Sequence, residues 1–201
     1  NKFHLDFERP IVELEKKIAE LSQQADSGGL ELDQEIVRLN ERVEEERQKI
    51  YSSLSSWQKV QISRHPNRPY ALDYVERMLS DFRELHGDRY YGDDPSVVGG
   101  PARLNGQSIM VVGIQSGRNL DERQRRNFGM PHPEGYRKAL RLMKMAAKFG
   151  MPILTLVDTS GAYPGVEAEE RGQAEAIARN LYEMSHLPVP IIVAITGQAF
   201  S

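Results

Sequence analysis

The sequence predicts an α/β domain with a mostly parallel sheet, preceded by a helical region. In the second half of the chain, short apolar runs alternate with amphipathic helical patterns, which is typical of βα units whose sheet is covered by helices. The first third instead repeats apolar residues at helical intervals on a charged surface. Two prolines within His65 to Pro69 separate these patterns. We therefore expect a helical region at 1–66 and an α/β domain at 67–201.

Two helices joined by a polar break make up the predicted helical region. Ser27-Gly28-Gly29 ends the first helix, and Asp33 is a good N-cap for the second. The apolar positions that recur in the two helices are Ile11, Leu14, Ile18 and Leu21, then Ile36, Leu39, Val43, Ile50 and Leu54. We expect an antiparallel hairpin that acts as a brace or subunit contact.

The α/β domain is predicted to begin with a helix and a hairpin. Apolar residues from Leu72 to Phe82 recur at helical spacing, and Gly87 ends that helix. Asn105-Gly106 between two apolar runs is the strongest short signal for a β-hairpin. Beyond an irregular basic stretch, the prediction is a helix at 134–149, a strand at 151–157, a loop at 158–165, a helix at 167–186 and a strand at 189–196.

Bulk composition excludes several classes of function. The 201 residues include no cysteine, which removes disulfides, thiolate catalysis and cysteine-based zinc sites from this chain. The net charge of -3 gives no reason to expect nucleic acid as a partner. No apolar run approaches the roughly 20 residues that span a membrane, so no membrane partner is expected. The histidines show no metal-ligand spacing, and we expect no metal in this chain.

The loop from Asp158 to Gly165 is the first candidate site. It follows a buried strand and precedes a helix, which is where open α/β sheets bind ligands. Its glycines let the backbone approach a ligand, and its N–H groups can hold an anion or a developing oxyanion. An ordinary βα turn is the plain alternative. A GTPase would also need a Gly-Lys phosphate loop, which the chain lacks, and Ser160 is not in a Gly-x-Ser-x-Gly elbow.

Basic residues form the second candidate. Arg118, Arg123, Arg125 and Arg126 precede the predicted helix at 134–149. One stripe of that helix carries Arg137, Arg141, Lys144 and Lys148. The stripe either meets phosphates of a cofactor such as coenzyme A or an acidic partner, or it is a solvated helix face.

Three stretches resemble the alpha subunit of bacterial and plastid acetyl-CoA carboxylase carboxyltransferase. They are Arg126 to Met143, Asp158 to Gly165 and Ala168 to Gln173. The resemblance implies a crotonase-like fold, a ββα superhelix of which this chain holds the N-terminal part. It also implies transfer of a carboxyl group from carboxybiotin to acetyl-CoA, giving malonyl-CoA in the first committed step of fatty acid synthesis.

The resemblance further implies partners and a location. The partners are a beta subunit of the same fold that carries a zinc ribbon, in an α2β2 heterotetramer, together with a biotin carboxyl carrier protein and biotin carboxylase. The active site would lie between alpha and beta chains. The location would be the cytoplasm, or the plastid stroma in a plant or alga.

The implied chemistry needs donors for oxyanions rather than a nucleophile or a metal. We predict that the amides of Gly161 and Ala162 are the catalytic donors. Tyr163, Pro164 and Gly165 are predicted to form the wall on the biotin side. Arg126 and His132 complete the predicted substrate-binding residues.

Two alternatives remain open at this point. One is a related biotin-dependent acyl-CoA carboxylase or decarboxylase subunit, and the other is a non-catalytic assembly chain. Ser160 stands where the resembled family has proline, and Gln198-Ala199-Phe200 departs from the glycine-rich turn of that family. We expect the natural gene product to continue past residue 201, where further glycines would open a helix.

Overall fold

A computed structural model of the chain describes residues 3–25 and 30–200. The chain divides into two compact units, Asn1–Pro66 and Asn67–Ser201. The predicted break at Ser27-Gly28-Gly29 lies outside the described residues. None of the helices in the described ranges is long and apolar enough to cross a membrane.

The first unit contains the helices α1 (Arg9–Ala25), α2 (Leu30–Ser52) and α3 (Ser56–Ser63). The two long helices are antiparallel, because Arg47 near the end of α2 pairs with Glu15 of α1 at 3.3 Å. Ser55 begins α3 with a capping box, in which its hydroxyl accepts from the Gln58 amide at 3.2 Å. The sequence had placed Leu54 in the second helix. That prediction was wrong, since α2 ends at Ser52 and the chain turns before the Ser55 cap.

The second unit begins with α4 (Ala71–Met78), which is shorter than predicted. The predicted continuation of this helix through Phe82 to an end at Gly87 is wrong because Leu79 is already extended, with φ of -116° and ψ of 150°. Ser80 then exchanges two backbone hydrogen bonds with Arg103, at 2.9 and 2.8 Å. Leu79 and Phe82 still pack against the core from this extended segment, so their apolar spacing reflected burial and not a helix.

Four strands form one sheet in the order β1 (Val97–Leu104), β2 (Gln107–Ile114), β3 (Ile153–Thr159) and β4 (Ile191–Ala199). The β1–β2 pair is antiparallel, and β2, β3 and β4 run parallel. The predicted hairpin is confirmed: Asn105 and Gly106 turn with φ of 49° and 82°, the left-handed pair that a type I′ turn requires.

The remaining helices connect the strands. They are α5 (Leu120–Arg125), α6 (Pro133–Lys148), α7 (Val166–Glu170) and α8 (Gln173–Met184). The prediction of one helix over 167–186 was wrong in one respect, because the left-handed Gly172, with φ of 81°, divides it into α7 and α8. The helix α5 was not predicted, since the basic stretch before α6 has no apolar period.

The sheet has an apolar core on each face. On one face Ala71 and Val75 of α4 pack against alternate residues of the strands, including Val98 and Val111. On the other, Leu142 of α6 packs among a second set of strand residues. Since consecutive strand residues point to opposite faces, both faces of β1, β2 and β3 are covered, whereas Ile192 and Val193 of β4 remain exposed. This arrangement places the ends of β2 and β3 beside the loops described next.

Candidate active site

The loop after β3 is organised by the hydroxyl of Thr159. This side chain is buried, and its Oγ1 accepts the N–H of Gly161 at 3.0 Å. The same oxygen lies 2.7 Å from the carbonyl oxygen of Gly129 and 2.9 Å from that of Gly161. The single hydroxyl proton is shared between these two acceptors. Gly161 has φ of 133°, which a residue with a side chain rarely adopts. Thr159 therefore fixes the shape of the loop and joins it to residue 129.

The two predicted oxyanion donors differ in availability. The Gly161 amide is engaged by Thr159, so its prediction as a donor requires that bond to open. The Tyr163 amide is also engaged, donating to the carbonyl of Pro131 at 3.1 Å. The Ala162 amide lies between them, on a half-buried residue, and has no hydrogen-bond acceptor among residues 3–25 and 30–200. The Ala162 amide is therefore an unengaged backbone donor of the loop.

The stretch before α6 closes against this loop. Three consecutive residues there, Asn127, Phe128 and Gly129, are left-handed, with φ of 49°, 54° and 74°. Gln173 ties the two segments together, because its Nε2 lies 2.9 Å from the Pro131 carbonyl oxygen and 3.0 Å from that of Tyr163. Such a cluster of strained backbone is typical of functional sites. All three stretches that carry the family resemblance thus meet in space, since Gln173 ends the third of them.

Predicted substrate-binding residues take different positions around the meeting point. The ring of His132 stacks on the ring of Tyr163, with centroids 4.0 Å apart and planes inclined by 22°. Pro164 is exposed beside them. Gly165 begins α7, and a Cβ there would lie 2.3 Å from Cε1 of Tyr163, so the absence of a side chain gives this ring its place. These four residues form one wall.

Arg126 lies inside the fold. Its Nη1 donates to the carbonyl of Pro95 at 2.7 Å, and its Nε is 3.6 Å from Oε1 of Glu122. Burial, more than any neighbour, lowers the pKa of this guanidinium. Arg126 thus holds the segment before β1. A role for it in substrate binding stays a prediction, and it requires a nitrogen to turn outward.

The sequence did not indicate the ion pair beneath the loop. Asp158 is 1% exposed, and Arg68 donates to it through Nε and Nη2, each at 2.9 Å. The amide of Gln198 donates to the same carboxylate at 3.0 Å. A Cβ on Gly197 would lie 2.2 Å from Oδ1 of Asp158, so only glycine fits there. Since 90 residues separate the two charges, no local pattern in the sequence indicated that they pair.

The basic stripe of α6 is not a free surface. Arg137 donates to Asp88 at 2.8 Å, Arg141 donates to the carbonyl of Gly87 at 3.0 Å, and Lys144 pairs with Glu183 at 2.9 Å. Arg137 and Arg141 are partly buried by these contacts, whereas Lys144 remains exposed on the solvated side of the helix. The two arginines have these partners because the chain around Gly87 folds over this face of α6, and the partner of Lys144 lies on α8.

The loop over α6 centres on Asp88. One oxygen of its carboxylate accepts the N–H groups of Tyr90, Tyr91 and Gly92 at 2.8–3.0 Å, and the other accepts from Arg137. Burial alone would raise the pKa of Asp88, but the Arg137 hydrogen bond and the three amides together lower it below its ordinary value. We call Asp88 with these four donors the Asp88 cluster.

An apolar cavity of about 300 Å³ lies between the sheet and the helices α6 and α8. Its lining includes Val112, Leu156, Ala139, Ile177 and Met184. Pro131 also borders it, so the cavity reaches the segment that closes against the loop after β3.

Comparison with known proteins fixes the family. The chain matches the acetyl co-enzyme A carboxylase carboxyltransferase-like family over residues 4–201. It belongs to that family. The acetyl-coenzyme A carboxylase carboxyl transferase subunit alpha of Halorhodospira halophila is 58% identical over 200 residues, which are 100% of this chain and 63% of the relative. The corresponding subunit of Geobacter metallireducens is 57% identical over 201 residues, with coverage of 100% and 63%.

This carboxyltransferase-like chain thus spans a little under two thirds of the length of these relatives. Among solved structures it is similar to transcarboxylase 12S with methylmalonyl-coenzyme A and methylmalonic acid bound. The TM-score is 0.51 and the identity 25%, over 64% of this chain and 23% of that one. The predicted fold class is confirmed: the α/β unit is crotonase-like, and the four strands are part of that fold.

Proposed function

We propose that this chain supplies the alpha part of a carboxyltransferase that moves a carboxyl group from biotin to acetyl-CoA, giving malonyl-CoA. The family and the printed names of relatives at 57–58% identity support this reaction. The structural observation that carries the proposal is the unengaged Ala162 amide at the end of β3, beside the stacked rings of His132 and Tyr163.

The residues of the loop suit a biotin ring. Its bicyclic body is largely apolar and its ureido edge is polar, so it needs an apolar wall with an N–H donor at one end. Tyr163 and Pro164 provide the wall, and Ala162 provides the donor. Biotin, when bound, supplies the carboxyl group and takes up negative charge on its ureido oxygen as that group leaves.

The work of the chain is then to hold oxygens that become negative. A preorganised amide costs no reorganisation at the moment of reaction and acts most strongly where water is excluded. The thioester oxygen of acetyl-CoA would gain charge as the methyl carbon gave its proton to the ureido group of biotin that has lost its carboxyl group, and it would need a donor of the same kind. The Gly161 amide would become that second donor if Thr159 released it.

The same proposal extends to the assembly. The partners would be a beta subunit of like fold carrying the zinc ribbon, in an α2β2 heterotetramer, and the biotin carboxyl carrier protein that biotin carboxylase loads. The site would form between alpha and beta chains, in the cytoplasm or a plastid stroma.

The decisive experiment assays the full-length protein together with its beta subunit. Carboxylated biotin carrier and acetyl-CoA should give malonyl-CoA, while either subunit alone should give almost none. Propionyl-CoA in parallel distinguishes a related acyl-CoA carboxylase, and carbon dioxide release without malonyl-CoA distinguishes a decarboxylase. A complex that forms but turns over neither substrate would make this chain an assembly subunit.

A further inference from the structure

A buried carboxylate orients the strained segment before α6. Asp94 is 1% exposed. Its Oδ1 accepts the amide of Ser96 at 2.8 Å and Nδ2 of Asn127 at 3.1 Å, and its Oδ2 accepts the backbone amide of His132 at 2.7 Å. Since a carboxylate can only accept, the nitrogen end of the Asn127 side chain must face it. The reverse orientation would place two oxygens against each other.

The amide of Asn127 in turn fixes the proton of His132. The same Nδ2 that donates to Asp94 lies 2.9 Å from Nδ1 of His132. An amide nitrogen can only donate, so Nδ1 accepts and the ring carries its proton on Nε2. One hydrogen of Asn127 Nδ2 is thus donated to Asp94, and the other is donated to His132. A carboxylate at position 127 would reverse the tautomer.

A stacking contact also holds the imidazole ring of His132 in place. It stacks on Tyr163 of the loop after β3, and its side chain remains 13% exposed. Nε2 has no hydrogen-bond partner within the described parts of the chain. Left-handed φ at residue 127 is a conformation that asparagine tolerates better than most residues, which suits this side chain to the position.

We infer that His132 presents Nε2–H as a hydrogen-bond donor to a substrate carbonyl or ureido oxygen above the loop, and that Asn127 and Asp94 are positioning residues which hold this tautomer. The inference rests on the proposed function for the identity of the acceptor. The tautomer itself does not depend on it. His132 thereby becomes a second neutral donor beside the Ala162 amide, with a direction set by two side chains behind it.

The tautomer is tested by ¹⁵N nuclear magnetic resonance of the full-length protein, with histidine labelled and the His132 signals assigned through His132→Gln. Wild-type protein should show Nδ1 unprotonated and Nε2 protonated. Asn127→Leu should give a mixture of tautomers, and Asn127→Asp the opposite tautomer. A wild-type ring that carries its proton on Nδ1 would overturn the inference, whether or not the variants fold.

The donor role is tested by kinetics with the beta subunit present. His132→Leu should lower kcat by about 10²-fold or more, as for loss of one oxyanion donor, with a much smaller change in KM. His132→Gln keeps an N–H near the position of Nε2 and should recover most of the activity. Asn127→Leu should lower kcat with His132 still present, which separates positioning from contact. Unchanged kcat in His132→Leu would overturn the donor role.

Failure of the proposed function looks different. Wild-type enzyme that forms no malonyl-CoA would remove the proposed reaction while leaving the tautomer measurement intact. In that case the His132 Nε2–H resonance is followed on addition of biotin or of acetyl-CoA. A shift with either ligand supports the donor role, and no shift with both overturns it.

Discussion

The loop after β3 and the Asp88 cluster stand at opposite extremes in their use of polar groups. The carboxylate of Asp88 accepts hydrogen bonds from four donors. One of these donors is Arg137, which the sequence had indicated as a possible phosphate ligand. At the loop, the uncharged amide of Ala162 is left without an acceptor among the described residues. The carboxylate of the cluster is thus fully used within the fold, whereas the loop keeps an uncharged donor whose acceptor is not supplied by the described residues.

This difference shows that a hydrogen-bond donor left without an acceptor in the fold indicates the site better than charged side chains do. A buried charge must be fully paired or it destabilises the fold, so a charged cluster is mostly evidence of structure. A backbone amide left unpaired beside strained backbone is rarer and points to a ligand. The two regions should therefore respond to mutation in opposite ways, one in stability and the other in turnover.

The largest expected effect is on stability. Asp88→Ala removes the acceptor of three amides and the nearest carboxylate of Arg137, which keeps Glu134 as its carboxylate partner at 3.6 Å, so the free energy of unfolding should fall by about 3–5 kcal/mol. Urea denaturation measures it. Glu175→Ala, which breaks the exposed pair with Arg179, is the matched control and should cost less than about 1 kcal/mol. Equal effects of the two variants would contradict the structural role of the cluster.

Turnover should respond most to the loop. Ala162→Pro removes the unengaged N–H, and kcat should fall by about 10²–10³-fold in the carboxyl-transfer assay. Ala162→Ser keeps the amide and should stay near wild type. Unfolding curves of both variants show whether the fold is retained. A folded Ala162→Pro enzyme with normal kcat would remove the amide from the mechanism.

A smaller loss of stability tests the hydrogen bonds through which Thr159 connects the loop to Gly129. Thr159→Val keeps the shape of the side chain but leaves the Gly161 amide without its acceptor, at a cost of about 1–3 kcal/mol in unfolding free energy. Thr159→Ser retains the hydroxyl and should recover most of that loss. If valine and serine were equally stable, the hydroxyl would not be what fixes the loop.

The smallest effect is a dependence on pH. Because the folded pKa of Asp88 is lowered, its stabilisation is fully present above the unfolded value of about 3.9 and is lost as pH falls through the folded value. Asp88→Asn should therefore differ from wild type most at pH 6, and the gap should narrow below about pH 4. Unfolding by urea between pH 3 and pH 6 measures this, and a constant gap would contradict it.

The sequence predicted the helices and strands whose apolar residues recur regularly, and it predicted the loop after β3 through the resemblance to a known family. It anticipated the hairpin at Asn105-Gly106 and the parallel strand pair, because turn chemistry and apolar runs are local signals. It failed between Leu79 and Phe82, where the apolar spacing of a helix coincided with an extended segment packed on the core. A local apolar pattern cannot distinguish a helix from an extended segment when backbone pairing with a distant strand determines the conformation.

The supporting side chains of the candidate site were harder to find. Arg68 meets Asp158 across 90 residues, and Asp94 orients Asn127 across 33 residues. No spacing rule connects such pairs. Nor does sequence reveal that the Gly161 amide is engaged while the neighbouring Ala162 amide is not, since that depends on the rotamer of Thr159.

Lys138 on α6 is wholly enclosed, with Nζ 2.7 Å from the carbonyl oxygen of Val97 and 2.8 Å from Asp93. Its neighbours on the helix, Lys144 and Lys148, reach solvent. An amine-reactive label applied to the intact protein should therefore mark the two neighbours within minutes and spare Lys138. The rate at which Lys138 becomes labelled then reports how often this part of the molecule opens, so a native lysine can measure local unfolding without any substitution in the chain.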